Sequence, residues 1–317
     1  MSAATSSRVD ELPAQYREMV GSSTERPLSA APSASVVIVT YGTPRAVLRE
    51  TLDALDEQTA DDFEVIVVDN GVRFDLDELV ERTERVSALV HLDGNYGVTV
   101  ARNVGAEVAA SDLLIFLDDD GIPDGDFVAA HRAAHDDGAV AVRGRVLPRS
   151  DSLYNRLQTW YDLGDERVPF TLNIEGNASI RRAAFREVSG FDESLSGRAG
   201  HEGIELTYRL LTSGYDREDI VYDPRPVIYH DYATDVRSYL RKRAAGRRRR
   251  RLLAATRPEV SKLAREYSKP TSSRSDRARG DRFALVCLDA MVRLTLAFTS
   301  LRKKVNLPGG RAGGGRA

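Results

Sequence analysis

The sequence predicts an α/β protein with a mainly parallel central sheet. Three apolar runs, at residues 35–40, 63–69 and 113–117, are almost uninterrupted by polar side chains. Continuous β-branched runs of this kind are typical of strands buried on both faces of a parallel sheet. Stretches with helical periodicity lie between them. Strands that alternate with helices of this length favour a layered α/β architecture.

The other elements follow from the same two periodicities. Further strands are expected near residues 89–92, over 140–147, just before Arg181 and over a stretch that ends at 227–230. Helices are expected after Thr43-Pro44, around Leu76, Leu79, Val80 and Val86, over 99–110, near 127–135, around 154–163 and over 204–213. Thr43-Pro44 is a helix-start signal, and Leu48, Leu52 and Leu55 follow it at helical spacing. From residue 237 onward the pattern is helical and basic.

The composition limits the possible classes of protein. The chain has 317 residues, 42% of them hydrophobic and 29% charged, so it has enough apolar material for a substantial core. Cys287 is the only cysteine. A disulfide framework and a cysteine-ligated zinc site are therefore excluded, and a cytoplasmic setting is expected.

The net charge of −3 conceals an uneven distribution. Residues 237–317 contain 23 Lys and Arg against 5 Asp and Glu, whereas residues 1–236 contain 22 against 43. An acidic body with a basic tail indicates contact between the tail and a polyanion. Nucleic acid, anionic lipid and a phosphorylated substrate all satisfy this charge pattern.

Three regions are expected along the chain. Residues 1–33 lack the features of a secretory signal and form a flexible extension, residues 34–235 form the α/β domain, and residues 236–317 form a basic helical region with a disordered end. Asp289 and Arg293 interrupt the apolar runs of residues 283–301. This segment is therefore expected to lie on a membrane as an amphipathic helix rather than to cross it.

Polar residues follow three of the predicted strands, where open parallel sheets bind ligands. Most informative are the adjacent carboxylates Asp118, Asp119 and Asp120, which repel one another unless a cation or a proton neutralises them. Mg²⁺ or Mn²⁺ takes one or two carboxylates together with substrate phosphates, so a metal-bound diphosphate suits this site. An acidic turn that caps the next element is the alternative.

Neither common nucleotide-binding signature is present. The chain has no Gly-Lys-Ser/Thr phosphate loop, and the segment after the first strand of the domain, Tyr41-Gly-Thr-Pro44, lacks the spaced glycines of dinucleotide-binding folds. ATP hydrolysis and NAD chemistry are both disfavoured.

A series of motifs resembles the family-2 glycosyltransferases of the GT-A fold. In order they are Ser35-Val-Val-Ile-Val-Thr-Tyr41, Phe63-Glu-Val-Ile-Val-Val-Asp69, Asn95-Tyr-Gly97, Ala101-Arg-Asn103, Phe116-Leu-Asp-Asp-Asp120, Gly176-Asn-Ala-Ser-Ile-Arg-Arg182, Gly190-Phe-Asp-Glu193, Gly200-His-Glu-Gly-Ile-Glu-Leu206 and Val227-Ile-Tyr-His230. The match covers about residues 34–232. The resemblance implies a GT-A fold and a nucleotide-sugar donor.

The resemblance also implies roles for individual residues. Thr40, Tyr41 and Asp69 correspond to base and ribose contacts, and Arg102 to a phosphate contact. The implied donor-binding set is Thr40, Tyr41, Asp69, Asn95, Arg102, Asp118 and Asp119. The implied ligands of Mg²⁺ or Mn²⁺ are Asp120, Asp118 and His230. An ordinary histidine at a strand end is the alternative for His230.

The general base is where the sequence departs from the family pattern. Most relatives carry Glu-Asp where this chain has Glu202-Gly203, and that aspartate is the usual base. Glu202 or Glu205 is expected to substitute, with Glu202 favoured because it lies beside the altered position. The alternatives are that the acceptor supplies its own phosphate oxygen, that no transfer occurs, and that Glu202 only caps a helix.

The acceptor side is assigned to Trp160, Tyr161 and Asn177, because aromatic faces suit sugar rings. The aromatic residues could equally be core residues of a helix packed on the sheet. The expected partners are a glycan or a lipid-linked acceptor and an anionic membrane surface, the latter contacted by residues 241–251 at the inner face of the cell membrane. A solvated helix face is the alternative for these basic residues. No nucleic-acid partner is expected, because the acidic body lacks an aromatic and basic recognition strip.

The sequence therefore predicts an inverting, metal-dependent glycosyltransferase that acts in glycan, glycolipid or cell-envelope polysaccharide synthesis. The alternative is a non-catalytic protein of the same fold that binds nucleotide sugars or glycans.

Overall fold

The computed structural model describes residues 7–28, 30–72, 74–158, 161–195, 201–267, 281 and 283–294. The α-helices are α1 (Ala14–Arg17), α2 (Arg45–Asp56), α3 (Asp77–Glu81), α4 (Val98–Val108), α5 (Phe127–Asp136), α6 (Leu153–Arg156), α7 (Arg182–Glu187), α8 (Glu202–Thr212), α9 (Val236–Thr256) and α10 (Pro258–Glu266). The strands are β1 (Val20–Glu25), β2 (Ala34–Thr40), β3 (Phe63–Asp69), β4 (Val86–Leu92), β5 (Leu113–Asp118), β6 (Ile122–Pro123), β7 (Ala141–Leu147), β8 (Val168–Pro169), β9 (Asn177–Arg181) and β10 (Ile220–Tyr229).

The strands form one mixed sheet in the order β1-β4-β3-β2-β5-β9-β7-β10-β6, and β8 pairs with β10. Strands β4, β3, β2 and β5 run parallel to one another. Strand β9 is antiparallel to both of its neighbours, β5 and β7. The predicted α/β class with a mainly parallel centre is therefore confirmed.

Helices cover both faces of the sheet. Along β2, Val37 joins the core layer beneath α4, whereas Val36 and Ile38 join the opposite layer, which contains the buried leucines of α2. Because both faces are covered, β2 is apolar apart from Ser35 and Thr40 and does not alternate. Helix α4 approaches the sheet closely at Gly105, where a Cβ atom would lie 2.4 Å from Val37.

The N-terminal region differs from the expected flexible extension. Strand β1 pairs antiparallel with β4 and covers that edge of the sheet. Val9 and Leu12 are buried in the core, and Arg8 lies 2.7 Å from the fully buried carboxylate of Glu64. A few apolar residues within a polar, charged stretch are enough to anchor it, and the average composition of the segment obscured them.

Two predicted helices are shorter than expected. Helix α3 ends at Glu81, and Val86, which was expected on it, begins β4. The helix expected around residues 154–163 is the single turn α6, while Leu157 and Tyr161 pack irregularly against Tyr232 and Tyr239. The aromatic cluster buries these side chains without regular backbone, so their apolar spacing was mistaken for a longer helix.

Helices α9 and α10 follow the sheet. Leu253 of α9 and Val260 and Leu263 of α10 form a small core with Ile204 of α8. No helix within the described ranges is long and apolar enough to cross a membrane. The residues expected to form the disordered end, 308–317, lie outside the described part of the chain.

Candidate functional site

The predicted strand ends lie side by side at one edge of the sheet. Thr40 of β2 pairs with Asp69 of β3, and Val39 of β2 pairs with Asp118 of β5. This parallel register brings three polar strand ends together at the carboxyl edge. That edge is where open α/β sheets bind their ligands.

Asp69 is fixed by hydrogen bonds at the end of β3. Its Oδ1 accepts from the amides of Gly71 and Val72, at 2.8 and 2.7 Å, and its Oδ2 lies 2.8 Å from His91 Nδ1. Burial alone would raise the pKa of Asp69, but these hydrogen bonds lower it below its usual value. The hydrogen bond to Asp69 in turn raises the pKa of His91.

The loop after β4 supplies a second wall of the site. Asn70 Nδ2 donates to Asn95 Oδ1 at 3.1 Å, and Asn70 Oδ1 accepts from the Tyr96 amide at 2.9 Å. Tyr41 is 57% exposed beside these loops. An uncovered aromatic ring next to ordered amides is suited to stacking against a planar ligand.

The three adjacent carboxylates have three different environments. Asp118 Oδ1 accepts from Arg102 at 2.8 Å. The lack of a side chain at Gly176 makes room for Asp118, because a Cβ there would lie 2.0 Å from the Asp118 carboxyl. Burial raises the pKa of Asp119 to about 6, against the opposing effect of the Thr40 and Thr43 hydroxyls. Asp119 is therefore the least accessible acid of the triplet.

Asp120 faces His230, another of the three predicted metal ligands. Its Oδ1 lies 3.4 Å from Nδ1 of His230, at the end of β10. Within the described ranges, no group of three or more His, Cys, Asp and Glu side chains is arranged to hold a metal ion. One carboxylate and one imidazole suit Mn²⁺ better than Mg²⁺, which prefers oxygen ligands, and either ion completes its shell with water and phosphate oxygens.

The position of the expected aspartate, Gly203, is closed to any side chain. A Cβ atom there would lie 1.7 Å from the Leu172 carbonyl oxygen. The Gly203 amide instead donates to Glu175 Oε1 at 2.6 Å. A carboxylate from the segment before β9 thus lies beside the start of α8.

Glu175 has an unusual electrostatic environment. Desolvation and the negative charge of Glu202 raise its pKa to about 7, while Arg102 and the Gly203 amide oppose the shift. Glu175 is half-buried as a residue, but its carboxyl group is desolvated and borders a small cavity lined by Phe116, Leu172 and Phe191. Glu202 is buried. A carboxyl group with this pKa can exchange a proton near neutral pH.

Comparisons with known proteins agree with this geometry. Residues 35–193, about half of the chain, match the family described as Glycosyl transferase family 2. The chain belongs to glycosyl transferase family 2. The "Pre-mycofactocin glycosyltransferase" of Mycobacterium tuberculosis is 30% identical over an alignment of 200 residues that covers 57% of this chain and 40% of that protein. The "Validoxylamine A glucosyltransferase" of Streptomyces hygroscopicus subsp. jinggangensis is 32% identical over 225 residues, with 59% and 53% covered.

This family-2 chain spans about half or less of the length of those two relatives. Among solved structures, it is similar to a mannosyltransferase from Pyrobaculum calidifontis in complex with GDP-Man and Mn²⁺. The TM-score is 0.54 at 17% identity, with 86% of this chain and 85% of that chain covered. Residues 1–349 of S. aureus TarS give a TM-score of 0.52 at 18% identity, with 78% and 75% covered. These similarities show the fold.

Two other predicted site residues of this family-2 chain, Glu205 and Asn177, are buried and bind other parts of the protein. Glu205 is buried and binds Arg209 at 2.7 Å and Arg257 at 3.4 Å. Asn177 is fully buried, and its amide donates to the backbone oxygens of Arg145 and Pro226. Because both side chains are engaged inside the protein, neither presents a free group to an acceptor.

Of the aromatic residues expected on the acceptor side, Tyr161 packs against His230 at a ring separation of 6.1 Å. Burial raises the pKa of Tyr161 above its usual range. Trp160 lies outside the described residues.

Sequence reasoning did not identify Glu175 or His91 as site residues. Glu175 is an acidic residue in a segment, Leu172-Asn-Ile-Glu-Gly176, that otherwise carries no charge, and this was the available signal. His91 lies near the end of a strand whose neighbour ends in Asp69, but only the register reveals that the two side chains meet.

Proposed function

We propose that this chain transfers a sugar from a nucleotide-diphosphate donor to an acceptor hydroxyl, with inversion at the anomeric carbon and with Mg²⁺ or Mn²⁺. The observation that carries the proposal is the convergence of Asp69, the Asp118–Arg102 ion pair and the Asp120–His230 contact at the carboxyl edge of the sheet. Residues that suit a nucleoside and residues that suit a charged diphosphate thus lie at one edge of the sheet.

The nucleoside would bind at the ends of β2 and β3. The ionised Asp69 is positioned to accept hydrogen bonds from ribose hydroxyls, and the exposed Tyr41 offers a stacking face for the base. Thr40 and Asn95 line the same edge. We also assign Asp118 and Asp119 to the donor side, with Arg102 directed toward the diphosphate and held in place by Asp118.

The divalent ion would be held by Asp120 and His230. When bound, it would offset the negative charge that develops on the departing nucleoside diphosphate. The pair of ligands present suits an ion that retains water and phosphate oxygens. Asp118, which the sequence also suggested as a ligand, is engaged by Arg102, so we do not include it in the metal set.

The acceptor hydroxyl would lose its proton to Glu175. The acceptor oxygen then bonds to the anomeric carbon, the carbon–oxygen bond to the diphosphate breaks, and the diphosphate leaves with that electron pair. The Gly203 amide holds the carboxylate, and the charge of Glu202 raises the pKa of Glu175 toward neutrality. Glu202, which the sequence favoured as base, becomes the residue that tunes this group.

The acceptor would enter past Tyr161, and we propose a glycan or a lipid-linked hydroxyl. The basic residues 241–251 support contact with an anionic membrane surface, since each basic group contributes about 1 kcal/mol near such a surface. Sedimentation with phosphatidylglycerol vesicles tests this contact. Recovery should fall when residues 237–317 are removed, and equal recovery of both chains would contradict it.

A donor screen tests the proposed function. Thermal unfolding is measured with UDP-, GDP- and dTDP-sugars, with and without Mn²⁺, because a ligand that binds only the folded state raises the melting temperature. One donor should raise it, and more strongly with Mn²⁺. Proton NMR of the product formed from that donor then reports the anomeric configuration, which should be inverted. Retention of configuration, or no stabilisation by any donor, would contradict the proposal.

A further inference from the structure

A strongly basic pocket lies beside the proposed site, between the start of α8 and helix α9. Its volume is about 670 Å³, which is within the usual range of small-molecule sites. Five cationic side chains line it, namely Arg241, Lys242, Arg243, Arg249 and Arg250. No Asp or Glu is among its described lining residues.

The positive charge of this pocket is poorly compensated. Asp289 pairs with Arg247 at 2.8 Å and lies 3.9 Å from Arg243. Neither Arg249 nor Arg250 has a carboxylate within ion-pair distance among the residues that the structure describes. Burial, together with repulsion from Arg243 and Arg247, lowers the pKa of Arg250. Clustered cations of this kind are stabilised by an anion placed between them.

Two polar atoms in the pocket wall also lack partners. Within the described ranges, His201 Nε2 and Asn173 Oδ1 are buried without a hydrogen bond. Buried polar atoms in native structures nearly always have a partner, so such atoms point to a missing ligand or water. Burial and the neighbouring Arg250 and Arg249 lower the pKa of His201 to about 4, so its imidazole is neutral at pH 7.

The pocket adjoins the proposed chemistry through three chain segments. His201 immediately precedes Glu202, Asn173 lies two residues before Glu175, and Tyr232 lies two residues after His230. Consecutive Cα atoms are about 3.8 Å apart, and residues two apart are within about 7 Å. The chain segments that line the pocket therefore also carry the proposed base and the proposed metal ligand.

We infer that this pocket binds a phosphoryl group of the acceptor and so orients the acceptor hydroxyl toward Glu175. The inference rests on the proposed function and names its acceptor class, a phosphorylated molecule. Guanidinium groups match phosphate oxygens in charge and in hydrogen-bond geometry. A concave pocket with orphaned polar atoms suits a discrete phosphoryl group better than it suits a flat anionic surface.

The test is calorimetric titration of the full chain with inorganic pyrophosphate in EDTA, which removes divalent ions from the donor site. The variant Arg249→Gln with Arg250→Gln is compared with Arg248→Gln with Arg251→Gln, which makes the same charge change on the same helix outside the pocket lining. The first variant should weaken binding about tenfold or more, and the second less than about twofold. Equal weakening by both would overturn the inference.

Two further measurements locate the binding. Pyrophosphate should shift the ring resonances of His201 in NMR spectra and raise the pH at which they titrate, and it should bind an Arg102→Gln variant as tightly as the natural chain. An unmoved His201 signal would overturn the inference, and so would loss of binding in Arg102→Gln. The His201 readout still applies if the double variant fails to fold.

Vesicles distinguish a lipid-linked phosphate from a free one. One experiment measures sedimentation with phosphatidylcholine vesicles that contain a long-chain prenyl phosphate. If this sedimentation requires Arg249 and Arg250, and if pyrophosphate reduces it, the natural acceptor phosphate is lipid-linked. If the pyrophosphate titration requires Arg249 and Arg250 but vesicle sedimentation does not, the natural acceptor phosphate is not lipid-linked. If both double variants weaken the pyrophosphate titration and the sedimentation with phosphatidylglycerol vesicles equally, the arginines serve only the membrane contact proposed above, and the pocket is overturned. Release of nucleoside diphosphate by the natural chain is assayed separately, so that a failure of the proposed function is distinguishable.

Discussion

The amide of Gly203 donates a 2.6 Å hydrogen bond to Glu175 Oε1. The position at which the family resemblance implies the base thus binds a carboxylate that comes from another segment. A Cβ at Gly203 would lie 1.7 Å from the Leu172 carbonyl oxygen. The same close packing that excludes an aspartate side chain at position 203 thus leaves the Gly203 amide to bind Glu175.

Replacement of the proposed base should abolish turnover while leaving donor binding intact. A general base contributes about 10²- to 10⁴-fold to rate, so Glu175→Gln should lower kcat by that factor. Nucleotide affinity should change little, because Glu175 is not among the proposed donor contacts. Steady-state assays and titration with the nucleoside diphosphate measure both effects. Glu166→Gln, at an exposed position, is the control. A Glu175→Gln variant with normal kcat would exclude this role.

The pH dependence of turnover should report the Glu175 carboxyl. Since the base must be ionised and its pKa is raised to about 7, kcat should rise with pH through about 7. Glu202→Gln removes a neighbouring negative charge that raises this pKa, so the rising limb should move to lower pH. Arg102 acts in the opposite direction, and Arg143 faces the same group. If the rising part of the pH profile does not move in Glu202→Gln, Glu202 does not influence the pKa of the base.

A side chain at Gly203 should destabilise the protein. The Cβ of Gly203→Ala would meet backbone atoms of Leu172, which cannot move freely because the Leu172 amide donates to Thr207. Overpacking of this kind costs about 1–3 kcal/mol. Urea unfolding measures the change. Gly125→Ala is the matched control, since a Cβ there meets nothing within 4 Å. Equal stability of the two variants would show that the segment before β9 adapts easily.

Stability should fall as pH decreases below about 6.5. Burial lowers the pKa of His131 to about 3 and that of His135 to about 4. The unfolded chain, with His near 6.5, therefore binds more protons than the folded chain in this range. The contribution of these neutral, buried histidines to the free energy of unfolding is complete above pH 6.5 and decreases toward pH 4. The decrease is on the order of 3 kcal/mol for His131. Urea unfolding of the natural chain and of His131→Gln across this range should show a smaller pH dependence in the variant. Parallel curves would contradict the assignment.

The parallel strands and the cluster of residues at their ends could be predicted from the sequence, because buried β-branched runs and polar strand ends are local signals. Asp69 and Asp118 lie at the same edge of the sheet, on either side of β2, as parallel register requires. The position of Glu175 could not be predicted, since it depends on how closely α8 approaches Leu172. The anchoring of the N-terminal region was also hidden, because Arg8 and Glu64 are far apart in sequence and form their ion pair only in the folded chain.

The role of Asn177 shows the same limit. The sequence assigned Asn177 to the acceptor side, but a polar side chain on a central strand can instead satisfy backbone carbonyls, here those of Arg145 on β7 and Pro226 on β10. The sequence shows that an asparagine stands at this position, whereas the packing of the strands decides whether its side chain faces a ligand or binds the backbone.

The most direct test of the account is the release of nucleoside diphosphate from a panel of nucleotide sugars with Mn²⁺. The natural chain should release the diphosphate from at least one donor in the presence of an acceptor. Asp120→Ala should reduce the rate about hundredfold or more, since a metal contributes several kcal/mol to charge stabilisation. Asp112→Ala, which alters an exposed carboxylate just before β5, should not. If no donor is cleaved, or if Asp120→Ala and EDTA leave release unchanged, the account of metal-dependent sugar transfer at this site is wrong.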